Sequence, residues 1–573
     1  MKTTRYLLLA ALAVLACNKP GEEPDKPGPS DKPADLSVDF TIDREKAFTG
    51  DEVTFTAVVS GGTAPYTYAW SFNDESTSSE ANPKVTFTTT GVKVISLNVT
   101  DAAGNKPARP KAKTFLVEEK PIEDKGDIAV AWYALFGDKG GGVRGAAPAV
   151  DDAGNIYLAG SVKDNGKLYK VSPEGKVLAS VAIGGTGNYC LSAGIDKAGS
   201  ILGGGASGGG AVMAKYDSGL TKLWSAEFWG NGKDPNPKLW YGYAVQVSDA
   251  ALLVANAGTT GTMGAISAAD GKRLTWLVNS ENGAISGGCR QAPAVSKDGF
   301  AWQACAANGV VGAEVSGLLT GSGAVVNTFN LVKNLIDAGG NQFTLTCSGS
   351  DRPQMAVVTV DGTSYGAGLC SPEGDPATVY LIDKTGAGKG FLINDTNTSI
   401  ANTTAQDQGG VVIGPANEVI VNLKSGADAS GGIVAVNPKT MTLAWEYRLA
   451  ESVSGTPAVT AEGLVVFGTD KGSFCIIKPD PATKGAELLA KADITALVKE
   501  AGMPFDAAFE SPNIKMWSGV TIGDDGKMYV GFQKADMETE SGVLCLTSSA
   551  VKGPGTGPWP MFGVDRKHTG VQK

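Results

Sequence analysis

A single histidine, His568, stands near the C-terminus in the stretch GPWPMFGVDRKHTGVQK, beside Asp565, Arg566 and Lys567. An imidazole among charged neighbours is a general acid–base candidate. Such work is normally divided between two groups, however, and the chain has no second histidine. His568 is therefore expected to be structural or simply exposed, and no catalytic residue is predicted. Beyond Cys17 the cysteines are scattered at 190, 289, 305, 347, 370, 475 and 545, with no CxxC pair, so zinc is not expected. Cys347–Cys370 and Cys289–Cys305 are conceivable disulfides if the chain is exported, whereas Cys475 and Cys545 are expected to pack as small buried apolar residues.

Several motifs fail on context. GGGVRG (140–145) and GGGASG (203–208) fit GxGxxG, yet neither is predicted to open a helix after a parallel strand. KTGAGKG (384–390) mimics a phosphate loop but has Asp383 where the first glycine belongs and Gly390 where Ser or Thr belongs, so it reads as a hairpin turn. The acidic runs DDAGN (151–155) and DDGK (524–527) read as turn chemistry, since neither supplies the spaced oxygens of a calcium loop; no metal is predicted. One feature points to binding. FWGNGKDPNPKLWYGY (228–243) carries Trp229, Trp240, Tyr241 and Tyr243, and AGMPFDAAFESPNIKMW (501–517) carries Phe505, Phe509 and Trp517. Flat aromatics beside amides suit the apolar faces of sugar rings. The alternative is that these rings cap the strands beneath them.

The elements that must position these residues begin at the N-terminus. MKTTRYLLLAALAVLAC has a short cationic start and an apolar run too short to span a bilayer, the shape of an export signal. Its end, Val14-Leu15-Ala16-Cys17, resembles the lipobox of bacterial lipoproteins. That resemblance implies that residues 1–16 are removed and Cys17 is acylated, giving a lipid-anchored outer-membrane protein on the cell surface or the periplasmic face. Residues 17–36 are rich in proline and acid and form a tether, which at about 3.1 Å per residue reaches roughly 55 Å. The net charge of −10 argues against nucleic acid or anionic lipid as main partners.

Residues 37–118 alternate in short β runs separated by turn signals, as a β-sandwich does. GTAPYTYAWSFNDESTSSEANPKVTFTTTGVKVISLNVTDAAGN resembles the PKD domain, with Trp70-Ser71-Phe72-Asn73-Asp74-Glu75 in place of the family's Trp-Asp-Phe-Gly-Asp-Gly. A spacer role is expected, with Trp70 as the buried anchor. The charged stretch 119–127 is a linker.

From residue 128 to 573 the chain repeats a four-strand unit eight times, for example QAPAVSKDGFAWQAC and WSGVTIGDDGKMYVGF. Each unit is an antiparallel sheet that must bury both faces against neighbours, so the prediction is an all-β chain ending in an eight-bladed propeller. The eighth unit lacks a fourth strand. IAVAWYALFGD (128–138) resembles the fourth strands of other units and is expected to close the ring. GTMGAISAADGKRLTW (261–276) and GGIVAVNPKTMTLAW (431–445) resemble the pyrroloquinoline-quinone-type repeat, whose family often ends in a segment like 559–570 packed near the closure. Enzymes of that family hold the quinone between a Trp and a vicinal disulfide, beside calcium and a catalytic Asp. This chain has no adjacent cysteine pair and no dense acidic constellation, so no cofactor is predicted. The expectation is a non-enzymatic envelope protein whose partner is a glycan or another extracellular polymer, with a protein scaffold as the alternative and a quinone-dependent dehydrogenase last.

Overall fold

The computed structural model describes residues 35–118 and 127–572 apart from 49, 74–75, 88–90, 137–140, 143–146, 163–166, 184–189, 208–209, 229–243, 256–260, 280–291, 306–308, 320–325, 333, 346–353, 371–376, 395–403, 406–409, 425–430, 504–513 and 535–540. The chain divides into two compact units, residues 1–121 and 122–573.

The first unit is a sandwich. One sheet joins Ser37–Ile42, Glu52–Ser60 and Lys84–Thr86; the other joins Lys46–Phe48, Lys111–Glu118, Gly91–Thr100, Thr67–Phe72 and Ser76–Ser78. Strand alternation puts Trp70 and Phe72 on the inward face together, and both are buried with Phe40, Phe55, Phe87 and Phe115. Trp70 meets Phe40 edge-on at 5.1 Å, and its indole N–H is satisfied by the Glu80 carbonyl at 2.8 Å. The predicted anchor is thus a buried ring with its one polar atom paired.

The second unit is a β-propeller. Eight sheets built on antiparallel four-strand units follow one another among the described residues, and in the first seven the unit runs in chain order from an inner strand to an outer one. In the first sheet the order is Ala149–Val150, Ile156–Val162, Lys167–Val171, Val177–Ala182. The last sheet breaks the chain order: Ile514–Lys515 and Val520–Ile522, Met528–Lys534 and Ser541–Thr547 are completed by Ala129–Leu135 from the other end of the unit. Val543 lies opposite Ala134 and Cys545 opposite Trp132, so the strand expected to close the ring does so.

Two tryptophans bridge neighbouring sheets. Trp132, on the outer strand of the last sheet, donates its indole N–H to Pro173 O of the first sheet at 2.7 Å. Its ring lies on Gly175 so closely that a Cβ there would come within 2.7 Å of it. Trp224 of the second sheet repeats the device on Ala268 O and Gly271 of the third. In these two places the tryptophan of one sheet and the turn glycine of the next form one contact, whereas Trp445 of the sixth sheet bonds Glu418 of its own sheet at 3.4 Å. Glycine also suits these turns because Gly175 and Gly271 have φ of 87° and 71°.

Some elements stand outside the repeat, two of them on outer strands. A hairpin, Asn334–Ile336 and Gln342–Thr344, extends the fifth sheet by pairing in parallel with Gly388–Ile393. A helix, Ile494–Glu500, follows the outer strand of the seventh sheet and is capped by Asp493, whose carboxylate accepts the Ala496 N–H at 3.1 Å.

Candidate functional site

The inner strands have two ends, and the chain uses them differently. At one end each inner strand turns into the second strand of its own sheet; at the other it receives the link from the preceding outer strand. The C-terminal segment lies on the turn end. Its carbonyls at Trp559, Pro560, Arg566, Lys567 and Gly570 accept the N–H groups of Ile413, Val459, Val150, Ile195 and Val295, the last inner-strand residues of five sheets. In the fifth sheet the Gln354 side-chain carbonyl accepts the Gly563 N–H at 2.9 Å. Gly570 packs on Val245 of the third sheet so closely that a Cβ would approach Val245 to 2.5 Å. In the eighth, Arg566 binds Asp524 at 2.9 Å while its other nitrogens reach Val150 O and Asp152 of the first. The tail therefore touches all eight sheets.

His568 is at the centre of this segment and is 1 % exposed. Its Nδ1 lies 2.6 Å from Ala193 O, and since a carbonyl only accepts, Nδ1 carries the proton. The ring meets Phe562 edge-on at 5.1 Å. Burial pulls the imidazole pKa down to about 4, outweighing the Ala193 bond and the Asp565 charge, which raise it. His568 is thus a neutral structural side chain at neutral pH, and the exposed alternative does not hold. A cavity of about 550 Å³ lies between the tail and the eighth sheet, lined by Asp524, Thr556, Met561, Val564, Asp565 and Arg566 among others.

The link end carries one of the predicted aromatics among the described residues. Trp517 is among the described residues; it is half-buried, with the Lys515 ammonium 4.7 Å from its ring centroid. Trp229, Trp240, Tyr241, Tyr243, Phe505 and Phe509 lie outside the described residues, as does Cys17. Near Trp517 the structure adds groups that sequence reasoning did not single out. Asp470 accepts the Ser452 N–H at 3.0 Å, and burial raises its carboxyl pKa against the opposing pull of Lys515. Buried Glu451 binds Lys491 at 2.6 Å and Ser473 at 3.0 Å, and also accepts from Thr469. These three partners occupy both carboxylate oxygens, so Glu451 fastens the link to the seventh sheet. Nothing in the repeat pattern marks it, because it sits in a link.

The other motifs resolve as local structure. Ile201–Ser207 is a strand, so GGGASG opens no helix. The KTGAGKG turn joins strands Ala377–Asp383 and Gly388–Ile393, with Asp383 accepting the N–H groups of Thr385 and Ala387. Asp151 does the same for Ala153 and Asn155. Cys475 and Cys545 are free and buried, and burial pushes the Cys545 thiol up to about 12. Cys370 is disulfide-bonded, while Cys347 and Cys289 lie outside the described residues. Among the described residues no three His, Cys, Asp or Glu side chains converge on a metal-sized site.

Residues 38–115 match the family model of the PKD domain. The first unit is a PKD domain. No curated protein matches the chain. Solved structures similar to it include a quinohemoprotein alcohol dehydrogenase from Pseudomonas putida HK5, at 15 % identity and TM-score 0.48, covering 76 % of this chain and 78 % of that one. BamB from Moraxella catarrhalis matches at 16 % identity and TM-score 0.42, covering 72 % and 99 %. A quinonprotein alcohol dehydrogenase-like protein from Bacteroides thetaiotaomicron matches at 10 % identity and TM-score 0.34, covering 89 % and 92 %. These are likenesses of fold alone.

Proposed function

We propose that this chain is a non-catalytic binding protein of the cell envelope. It is anchored in the outer membrane through Cys17 and engages a glycan or another extracellular polymer with the link-bearing end of its propeller. The observation that supports this reading is the tail: it touches all eight sheets at the turn end, so that end is given largely to holding the ring together. The link end holds Trp517 over Lys515, with Asp470 nearby as a hydrogen-bonding partner for hydroxyls. A non-catalytic role is supported by the commitment of the one imidazole to the tail and by the burial of Cys475 and Cys545. A scaffold for envelope proteins is the second reading, favoured by the rim described below.

The test is a glycan-array screen of the soluble chain from residue 37, repeated with Trp517→Ala. Truncating a stacking aromatic at a binding centre costs about 2 kcal/mol, roughly thirtyfold in affinity. Retention of a glycan by the parent and its loss in the folded variant supports the proposal. An array with no retained glycan, or binding unchanged in Trp517→Ala, overturns it.

A further inference from the structure

Seven of the eight outer strands share an irregularity that the sequence repeat conceals. Each carries one extra residue relative to its partner, at the same place in the sheet. These residues are Leu178, Leu223, Leu274, Asn327, Ala444, Leu489 and, in the closing strand, Ala131. A bulge removes a residue from the ladder and re-aims its side chain, and recurrence at one position makes it part of the architecture. In the sixth and eighth sheets the re-aimed residue is alanine. In the first three it is leucine, and these leucines are 48 %, 55 % and 51 % exposed.

The seventh sheet shows such a leucine partly covered. The strand that carries Leu489 runs on to Asp493 and into the helix Ile494–Glu500, which lies against the outer strands Gly485–Asp493 and Ala129–Leu135 of successive sheets. Leu489, Ile494, Leu497 and Val498 share one apolar cluster there. The bulge leucine of the seventh sheet is thus half-buried in a cluster to which the helix contributes, whereas three equivalent leucines, on three successive sheets, are exposed. Cations accompany them: Lys176, Lys222 and Arg273 are exposed within two residues of Leu178, Leu223 and Leu274.

We propose that the rim of the first three blades is the docking site for an amphipathic helix of a partner protein. That helix lies across neighbouring outer strands as Ile494–Glu500 does, with leucine-type residues on the bulge leucines and acidic residues towards the flanking cations. The occupant is assigned from the chain's own half-buried copy of the site.

The test uses the full chain and its variant Leu178→Ser/Leu223→Ser/Leu274→Ser. Exposed positions tolerate this change within about 0.5 kcal/mol, so the melting midpoint is expected to stay in place. The probe is a synthetic helix of about five turns, with leucines on one face and glutamates on the other, followed by fluorescence anisotropy. Wild type is expected to bind it at least tenfold more tightly than the triple variant and to ignore a scrambled peptide of the same composition. Equal binding by wild type and variant, or by the scrambled peptide, overturns the proposal. So does leucine-dependent dimerisation in sedimentation, which makes the occupant a second copy. Leucine-dependent flotation with phosphatidylglycerol vesicles likewise overturns it, making the occupant a membrane. If the variant unfolds, a photo-crosslinking residue at position 223 alone replaces it: adducts mapping to a partner's amphipathic helix support the proposal, and adducts elsewhere sink it.

Discussion

Acid should loosen the C-terminal tail before it attacks anything else in the propeller. The perturbed group is His568, whose pKa lies at about 4 in the folded chain against an ordinary 6.5. Because the folded value is depressed, neutral His568 contributes stability that is fully present above pH 6.5 and is lost as pH falls towards 4. At 1.36 kcal/mol per pH unit the gap corresponds to about 3 kcal/mol, a large part of the margin of an ordinary domain. Asp127 and Asp270, each held at about 2 by hydrogen bonds, begin to weigh only at lower pH, so the histidine window stands apart. The control is His568→Asn, whose amide can donate to Ala193 O without titrating. Denaturant unfolding of both proteins between pH 7 and pH 4 should give a stability loss of about 3 kcal/mol in wild type and a much flatter profile in the variant. Amide exchange in the tail should accelerate over the same range in wild type alone. Parallel pH profiles for the two proteins would refute the reasoning.

Gly271→Ala forces a Cβ to within 2.7 Å of the Trp224 ring at φ 71°, and should destabilise by about 1–3 kcal/mol; an unchanged melting midpoint would show that Trp224 is free to move. Deleting residues 128–138 removes the strand opposite Ser541–Thr547 and should lower stability markedly through an unpaired edge, and calorimetry equal to wild type would mean that the eighth sheet finds another outer strand. Cys17→Ala should move the protein from membrane to soluble fractions; continued membrane fractionation would overturn the anchor.

The parts of this structure legible in the sequence are those enforced many times over. A recurring four-strand unit announces a propeller, and Trp132 on Gly175 and Trp224 on Gly271 are the same contact in different places. The closing strand was legible for the same reason, since IAVAWYALFGD repeats the outer-strand pattern. Features used once were not legible. The capped helix Ile494–Glu500 and the hairpin on the fifth sheet break the period, and Glu451 lies in a link of no fixed length. The bulges were hidden for another reason: one extra residue at the same place in seven of the eight outer strands leaves the repeat pattern looking regular. Leucine at 178, 223 and 274 therefore reads as an ordinary strand residue until the register is known.

The two ends of the propeller unit answer one physical problem. An open array of repeats frays from its ends, because a terminal repeat has a neighbour on one side only. Here the first strand of the unit completes the last sheet, so the seam between first and last blades is crossed by a full ladder. The tail then bonds seven of the sheets and packs on the third through Gly570, all on one side, so that opening any seam also breaks contacts of the tail. Arg566 shows the coupling in a single side chain, since its guanidinium joins Val150 and Asp152 of the first sheet to Asp524 of the eighth. A ring pinned in these two ways should resist the loss of either lock more than the loss of both. The cost of removing residues 128–138 together with the tail should therefore exceed the sum of the separate costs. Simple additivity would mean that strand and tail act on different parts of the ring.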